Sequence, residues 1–359
     1  MENIETMVGS LGQFINRTAA HEHTAKCTVE ETHRCALEWT TRDKIQLSRG
    51  VAELTQKTVV RTLMGDDFYN SSDELLAILH ELSSDMKKSG SSILRKWLPH
   101  SADWRAQRAV ERIRDIFTEK LMRRDATAVA GGPIESDLQD YVTYMLNGKN
   151  TAQLKHLYHH HHAAIMFAAQ SSTASAITLV ITCLLRHPDM MNAVKRDARS
   201  GDNHPVLLQA CIKETIRYYK DMACSRQAQR DTASKESVAT LSASLPYHSP
   251  AGFHHSDSWM PGRWLNAENK LVDVEEKGTK EGLGGESKQC PGENVSMIII
   301  TQALTTLLRC YDISWASPTQ PRIVDFEAPD LRHGREPWHK GGLEVRVSRR
   351  VWPELIAGC

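Results

Sequence analysis

The sequence predicts a mainly α-helical protein with small β-sheets near its end, an α+β class. Apolar residues recur at helical spacing through most of residues 28–219. From Ala223 to Lys280 the chain becomes irregular, rich in Ser, His, Pro and Gly, with short strand candidates only. Alternating residues at Leu343–Val347 predict a strand near the end. The 359 residues can bury a large core, and we expect a single domain over residues 1–359.

Helix boundaries follow from local signals. The first helical periodicity covers residues 28–63 and stops at Gly65-Asp66-Asp67. Ser71 and Ser72 before two acidic residues predict the N-cap of a helix that runs to Met86. Further helices are predicted from the same periodicity at residues 102–124, 137–146, 190–199, 205–219 and 292–310.

The longest predicted element runs from Thr151 to Arg186. Its roughly 36 residues would form a rod of about 54 Å at 1.5 Å per residue, and His187-Pro188 ends it. Ala163–Leu185 carries no charge and is long enough to span a bilayer. However, Gln170 and the hydroxyl residues after it would lie near the bilayer centre, where polar groups are costly. We therefore predict a buried helix of a large domain rather than an integral membrane segment.

Composition narrows the classes of partner and compartment. Forty-four basic residues balance forty-four acidic ones, and no Lys/Arg-rich run is present in the sequence, which argues against nucleic acid as a partner. Eight cysteines without CxxC pairs argue against a zinc cluster or a disulfide framework and favour a reducing compartment. The first 24 residues lack the basic and apolar regions of a signal peptide.

The most informative loop is Leu283–Glu293, LGGESKQCPGE, which leads into an apolar helical pattern. Cys290 precedes that helix, where unpaired N–H groups and the positive helix end favour a thiolate. A thiolate is one of the proximal ligands that haem iron accepts. Gly284, Gly285 and Gly292 would let the backbone approach a flat cofactor. On this stretch alone, a Gly-rich loop with an ordinary free cysteine is an equal alternative.

A second constellation is charged. Glu214 and Arg217 lie at i and i+3 on one predicted helix face, and such a pair alone is usually an exposed ion pair worth little. Arg263 lies in the irregular Trp259–Trp264 segment. If it closes on Glu214, the three residues form a buried Glu–Arg–Arg cluster that holds this segment in place.

Two polar runs on the central helix have competing interpretations. Ser171, Ser172 and Thr173 could relay protons, or simply bond back to the carbonyl four residues earlier, which is commoner in buried helices. His159–His162, with His156 before it, could bind a metal. No carboxylate partner is evident in the sequence, so an exposed histidine-rich helix start is the favoured interpretation.

In chain order, the long helix with its hydroxyl-rich Ala168–Thr173 segment, Glu-x-x-Arg at Glu214, Pro-x-Arg-Trp at Pro261 and the cysteine loop resemble the cytochrome P450 family of haem-thiolate monooxygenases. The resemblance covers Val29 to the C-terminus, and the glutamine and hydroxyl run is most similar to the fungal sterol 14α-demethylase-like branch. We expect a P450-like fold without the family's N-terminal anchor and first sheet and helices.

The resemblance implies a function and a set of roles. It implies a monooxygenase that oxidises a hydrophobic small molecule (terpenoid, sterol-like or polyketide-derived) in secondary metabolism, with haem b as cofactor and electrons from NADPH through NADPH–cytochrome P450 reductase. The implied residues are Cys290 on the iron, Lys288 and Arg226 on the propionates, Gly284 and Gly292 in the 283–293 loop, Ser171, Ser172 and Thr173 in proton delivery, and Ile165, Met166 and Ala169 around the substrate.

The loop also departs from the family pattern. Leu283 replaces a phenylalanine, Glu286 a glycine, and Lys288 the usual arginine or histidine. These changes and the missing front segment motivate an alternative, namely a shortened, inactive relative that binds a hydrophobic ligand or partner. For either function we expect the protein to be cytoplasmic or peripheral to the endoplasmic reticulum.

Overall fold

The computed structural model describes residues 2–88, 102–129, 140–199, 205–219, 223–227, 238–242, 253–272, 290–317 and 343–350. The chain divides into two compact units. The first comprises Met1–Glu38, Arg49–Ala174 and Pro291–Ala303. The second comprises Trp39–Ser48, Ser175–Cys290 and Leu304–Cys359.

Helices dominate the described residues, which confirms the predicted class. In chain order the helices are α1 Glu2–Ile15, α2 Thr18–Thr40, α3 Leu47–Met64, α4 Asp66–Tyr69, α5 Ser72–Lys88, α6 Ala102–Val129, α7 Tyr141–Asn147, α8 Tyr158–Arg186, α9 Pro188–Arg199, α10 Val206–Tyr218 and α11 Glu293–Cys310. Short 3₁₀ segments cover Ala152–Leu157 and Pro261–Trp264.

Two small antiparallel sheets complete the fold. β1 (Ile45–Gln46), β5 (Glu344–Arg349) and β4 (Tyr311–Trp315) form one sheet in the order β1-β5-β4, and β2 (Ala223–Gln227) pairs with β3 (Val238–Ser242) in the other. On the first sheet, Ile45 lies opposite Val345, and Ile313 lies opposite Val347. These four side chains are buried, so one face of the sheet packs on the core of its unit.

In the first unit, a largely buried arginine connects several helices. Arg124 of α6 donates to Asp67 at 2.8 Å and to Asp140 at 3.0 Å, and it also donates to the Met64 carbonyl. Asp140 in turn caps α7 by accepting from the Thr143 amide at 2.9 Å. One guanidinium therefore ties together the end of α3, the start of α4 and the start of α7.

The central helix is shorter than predicted. Residues 152–157 form a 3₁₀ segment with Leu154 at φ −96° and ψ 17°, and the α-helix begins only at Tyr158. The Thr151 hydroxyl donates to the Met145 carbonyl, and the Tyr158 hydroxyl donates to the Thr151 carbonyl at 3.2 Å. These two side-chain bonds, each between residues no more than seven positions apart, hold the chain in a turn where the apolar periodicity predicts helix. The 54 Å rod is thus wrong for its first seven residues, and the 29-residue helix is about 44 Å long.

Other boundaries differ for similar reasons. The predicted 28–63 periodicity is divided between α2 and α3, because Ile45 and Gln46 pair with β5 between them. The predicted 137–146 helix begins at Tyr141, since Asp140 is its N-cap. Within the described residues, one helical stretch, Ala152–Arg186, is long and apolar enough to cross a membrane. Ile177, Val180, Ile181 and Leu184 of this helix are fully buried within the protein, as a core helix requires.

Gly65, between α3 and α4, is expected to tolerate no side chain. Its φ of 93° favours glycine, and an added Cβ would lie 2.8 Å from Nη2 of Arg124 and 3.1 Å from Oδ2 of Asp140. Gly65→Ala should lower the free energy of unfolding by about 1–3 kcal/mol. Gly9→Ala is the control, because nothing lies within 4 Å of an added Cβ there and α1 should gain about 0.5–1 kcal/mol. Equal urea midpoints for the two variants would contradict this assignment.

Candidate active site

The hydroxyl-rich segment of α8 has one open face. Ala164, Ala168 and Ser172 follow each other at four-residue spacing and are exposed, and Phe167 beside them is 39% exposed. Thr173 lies on the opposite, buried side. This segment of α8 is therefore amphipathic, with one face accessible to solvent.

The structure separates Ser172 from Thr173. Ser172 lies on the exposed face, and its hydroxyl donates to the Ala168 carbonyl at 3.1 Å, the local bond expected of a helical serine. Thr173 is 1% exposed, and its hydroxyl donates to Oγ of Ser296 at 3.3 Å. Ser171 is half-buried and lies four residues after Phe167, on the same side of the helix. Of the three predicted proton-relay residues, Ser172 is therefore the most accessible.

The predicted pocket residues also divide. Ile165 and Ala169 are half-buried and border the open face of α8. Met166 is 1% exposed, and Nε2 of Gln56 donates to its sulfur at 3.6 Å. Met166 therefore lies in the packed interior of the first unit, while Phe167, which the sequence analysis passed over, presents an aromatic ring at the open face. Its exposure depends on the phase of the helix, which the apolar run does not reveal.

Cys290 differs from the other free cysteines among the described residues. Its side chain is exposed, whereas Cys27, Cys35, Cys183 and Cys211 are buried. Burial raises the pKa of the Cys27 thiol to about 11 and that of Cys35 to about 12, so these thiols stay protonated at neutral pH. Cys310, by contrast, is disulfide-bonded.

The surroundings of Cys290 fit a haem ligand. Helix α11 begins at Glu293, three residues after the cysteine, and its 18 residues are long enough for the N–H groups of its first turn to favour a nearby negative charge. Among the described residues, no atom would lie within 4 Å of a Cβ added at Gly292. A free, accessible thiol in this position is the donor that haem iron needs, and haem with a thiolate ligand supplies dioxygen activation when bound.

The structure gives less information on the other residues predicted to contact haem. Lys288 and Gly284 lie outside the described residues. Arg226 lies in β2, where its backbone pairs with Ala239 of β3. Their proposed contacts with haem propionates stay predictions.

The structure brings Glu214, Arg217 and Arg263 together. Glu214 is fully buried and accepts two bonds of 2.9 Å from Arg217, in the bidentate geometry that guanidinium and carboxylate prefer. Nε of Arg263 lies 3.1 Å from the same carboxylate. Because both arginines belong to the second unit along with Glu214, the predicted cluster forms entirely within it.

Further donors complete the shell around this carboxylate. The indole N–H of Trp264 donates to Glu214 at 2.9 Å, and the Met260 amide donates at 2.8 Å. Arg263 also donates to the carbonyl of His254 at 2.7 Å, and Arg217 donates to that of Ser256 at 2.9 Å. The cluster therefore holds the irregular 253–264 segment against α10. The indole and amide donors to Glu214 could not be predicted from the sequence, because their positions depend on the path of an irregular segment.

The histidine run is structural in the described residues, and the expected exposed helix start is wrong, because His159, His161 and His162 are buried. His161 Nε2 lies 3.0 Å from the Tyr141 hydroxyl, which donates to the Met7 carbonyl, so the His161 N–H must be the donor to Tyr141. His162 donates from Nδ1 to the Tyr158 carbonyl at 2.9 Å. Among the described residues, no group of three or more potential metal ligands is found.

Comparison with known proteins identifies the class. The cytochrome P450 family model matches residues 10–331, and the chain belongs to this family. Its enzyme class is cytochrome P450 monooxygenase, an oxidoreductase whose cofactor is haem iron. The predicted family is therefore confirmed by a match that covers most of the chain.

Several fungal relatives are similar over nearly the whole chain. Cytochrome P450 monooxygenase pynD of Aspergillus niger is 30% identical over 97% of this chain and 75% of its own length. Cytochrome P450 monooxygenase pyvB of Aspergillus violaceofuscus is 30% identical over 98% and 73%, and pytD of Aspergillus terreus is 27% identical over 96% and 95%. These names do not identify a sterol demethylase, so the predicted branch stays a prediction.

A solved structure shows the same fold. Retinoic acid-bound cyanobacterial CYP120A1 superposes with a TM-score of 0.71 at 15% identity, over 95% of this chain and 78% of its own. The predicted P450-like fold is confirmed.

Removing the charge of Glu214 should destabilise the second unit. Glu214→Gln keeps the shape but removes the negative charge that faces the buried Arg217 and the half-buried Arg263, at an expected cost of about 2–4 kcal/mol. Glu119→Gln is the matched control, because Glu119 pairs with Arg123 at 2.8 Å on an exposed surface, where the loss should stay below about 0.5 kcal/mol. Chemical denaturation of both variants measures the difference, and similar losses would contradict the role assigned to Glu214.

His162 should make stability depend on pH. Burial lowers the pKa of His162 to about 3 and that of His161 to about 4. An unfolded histidine binds its proton near pH 6.5, so below this pH the unfolded state holds more protons than the folded state and stability falls as pH falls. His162→Phe should remove about 1–2 kcal/mol of the loss between about pH 7 and about pH 5.

The exposed neighbour His160 supplies the control for that measurement. His160→Gln is the matched variant, because it removes an exposed histidine of the same run and leaves the buried His162 in place. If His162→Phe and the unaltered protein lose stability in parallel on acidification, His162 is not the buried neutral group described above.

Proposed function

We propose that this P450 oxidises a hydrophobic small molecule of the terpenoid, sterol-like or polyketide-derived type in secondary metabolism. The similarity to three Aspergillus monooxygenases supports a fungal small-molecule pathway. The open face of α8, with Phe167 among small residues, favours an apolar substrate. The observation that carries the proposal is Cys290, an exposed free thiol three residues before α11.

Cys290 is proposed as the residue that holds the haem iron. It lies three residues before α11, and its exposure leaves the sulfur accessible to a bulky planar ligand. The buried cysteines meet neither condition. Lys288 and Arg226 are proposed as charged partners of the propionates, and Gly284 and Gly292 as the positions where the loop backbone comes close to the porphyrin.

Ser172 is proposed to hold and pass on a proton at the open face of α8. Its hydroxyl now donates to the Ala168 carbonyl, which leaves the oxygen lone pairs free to accept from water on the exposed side. Rotation about χ1 would release the proton toward a ligand on that face. Ser171 is a neighbouring hydroxyl that could extend the same path. No carboxylate stands at positions 171–173, so the proton has to reach them through water.

Electrons are proposed to come from NADPH through NADPH–cytochrome P450 reductase, the usual partner implied by the family. The proposed location is the cytoplasm or the face of the endoplasmic reticulum. The alternative of an inactive relative that binds a hydrophobic ligand is tested by the same experiment as the assignment of Cys290.

Replacing Cys290 by Ala should abolish the thiolate-type difference spectrum of the reduced, carbon monoxide-treated protein, because no other described free thiol is accessible to iron. Cys27→Ala, which removes a buried thiol, should leave that spectrum unchanged. Cys290→His guards against simple loss of haem, since an imidazole ligand would retain haem with a displaced band.

Three outcomes separate the possibilities. A thiolate-type band that persists in Cys290→Ala would overturn the ligand assignment. Folded, unaltered protein that binds lipophilic probes but takes up no haem would overturn the monooxygenase proposal in favour of the inactive relative. A band lost only in the Cys290 variants supports the proposed function.

A further inference from the structure

Thr173 is unusual among the buried threonines of this protein. Many of the others donate their hydroxyl to the carbonyl four residues earlier in the same helix, namely Thr24, Thr28, Thr32, Thr55, Thr58, Thr62, Thr182 and Thr215. Thr173 instead donates to Ser296 on a different helix at 3.3 Å. A hydrogen bond within one helix does not restrict the rotation of that helix relative to its neighbours, whereas a hydrogen bond between two helices does.

The two hydroxyls join the segments on which the proposed function depends. Thr173 directly follows Ser172 on α8. Ser296 lies in the first turn of α11, where its amide donates to the Gly292 carbonyl at 2.9 Å, two residues after Cys290. Thr173 and Ser296 both belong to the first compact unit, so the contact lies within one unit.

Because Ser172 and Thr173 are neighbours on one helix, the contact of Thr173 with Ser296 also determines the direction in which Ser172 points. Consecutive residues of an α-helix are about 100° apart, so Thr173 faces α11 while Ser172 faces the exposed side. A 10° rotation of α8 would move a side-chain hydroxyl about 5 Å from the helix axis by about 1 Å. Displacements of this size at reacting groups can cost about a hundredfold in rate.

We propose that Thr173 and Ser296 are positioning residues whose hydroxyl pair fixes the rotation of α8 at Ala168–Ser172 relative to the helix that follows Cys290. This proposal rests on the proposed function, because it assigns Ser172 a ligand to face. It replaces a direct proton-relay role for Thr173, whose hydroxyl is 1% exposed and committed to Ser296.

The infrared stretch of carbon monoxide bound to the reduced protein tests the proposal, since this frequency responds to polar groups beside the ligand. Ser172→Ala should shift it by removing the hydroxyl. Thr173→Val and Ser296→Ala should shift it in the same direction by moving that hydroxyl, and Thr173→Ser should restore the original frequency because the donor is kept.

The same helix supplies a matched control. Thr178→Val also removes a buried threonine hydroxyl from α8, but Oγ1 of Thr178 has no hydrogen-bond partner in the structure. It should leave the frequency unchanged. A second readout is amide hydrogen exchange of residues 168–173, which should become about threefold to tenfold faster in Thr173→Val and stay unchanged in Thr178→Val.

The outcomes distinguish the two proposals. If the unaltered protein forms no thiolate-type carbon monoxide complex, the proposed function fails. If that complex forms but Thr173→Val leaves both the frequency and the exchange rates unchanged, only the positioning role is overturned. If the carbon monoxide stretching frequency is unchanged in Ser172→Ala, the positioning role is also overturned, because no hydroxyl of Ser172 then lies beside the bound ligand.

Discussion

A cysteine that binds haem iron has to be both deprotonated and accessible to the haem. The buried free cysteines that the structure describes do not meet both conditions. Burial withholds water from a thiolate, and this raises the pKa of the Cys27 and Cys183 thiols to about 11. Cys290, in contrast, is exposed and stands just before an 18-residue helix. The physical constraint thus selects one sulfur from the free cysteines that the structure describes, and the role proposed for the 283–293 loop depends on it.

The same cost of burying charge explains the polar clusters away from that cysteine. Glu214 is fully buried, and donors from two arginines, an indole and a backbone amide surround its carboxylate. Arg124 is matched in the same way by Asp67 and Asp140. Each cluster contributes little net stability beyond an apolar core but specifies one arrangement of its segments. In the second unit, that arrangement fixes the irregular segment that ends at Trp264.

Helix ends that depend only on neighbouring residues are predicted well from the sequence. The helical stop at Gly65 and the end of the central helix at Arg186 follow from backbone preferences that need no distant partner. The contact between Glu214 and Arg263 was predicted only as a possibility, because it depends on the path of the irregular 253–264 segment. In contrast, the start of α8 at Tyr158 depends on a side-chain bond to Thr151, and the partner of Thr173 is Ser296 on a distant helix; apolar periodicity predicts neither bond. Helix α1 lies before residue 28, where the first predicted helix begins.

The central claim is that the sulfur of Cys290 is bound to haem iron, and iron X-ray absorption of the purified, haem-containing protein tests it most directly. One sulfur atom should appear in the first coordination shell of iron, and it should be absent when Cys290 is replaced by alanine. A first shell made only of nitrogen and oxygen in the unaltered protein, or a sulfur that remains in the variant, would contradict the claim.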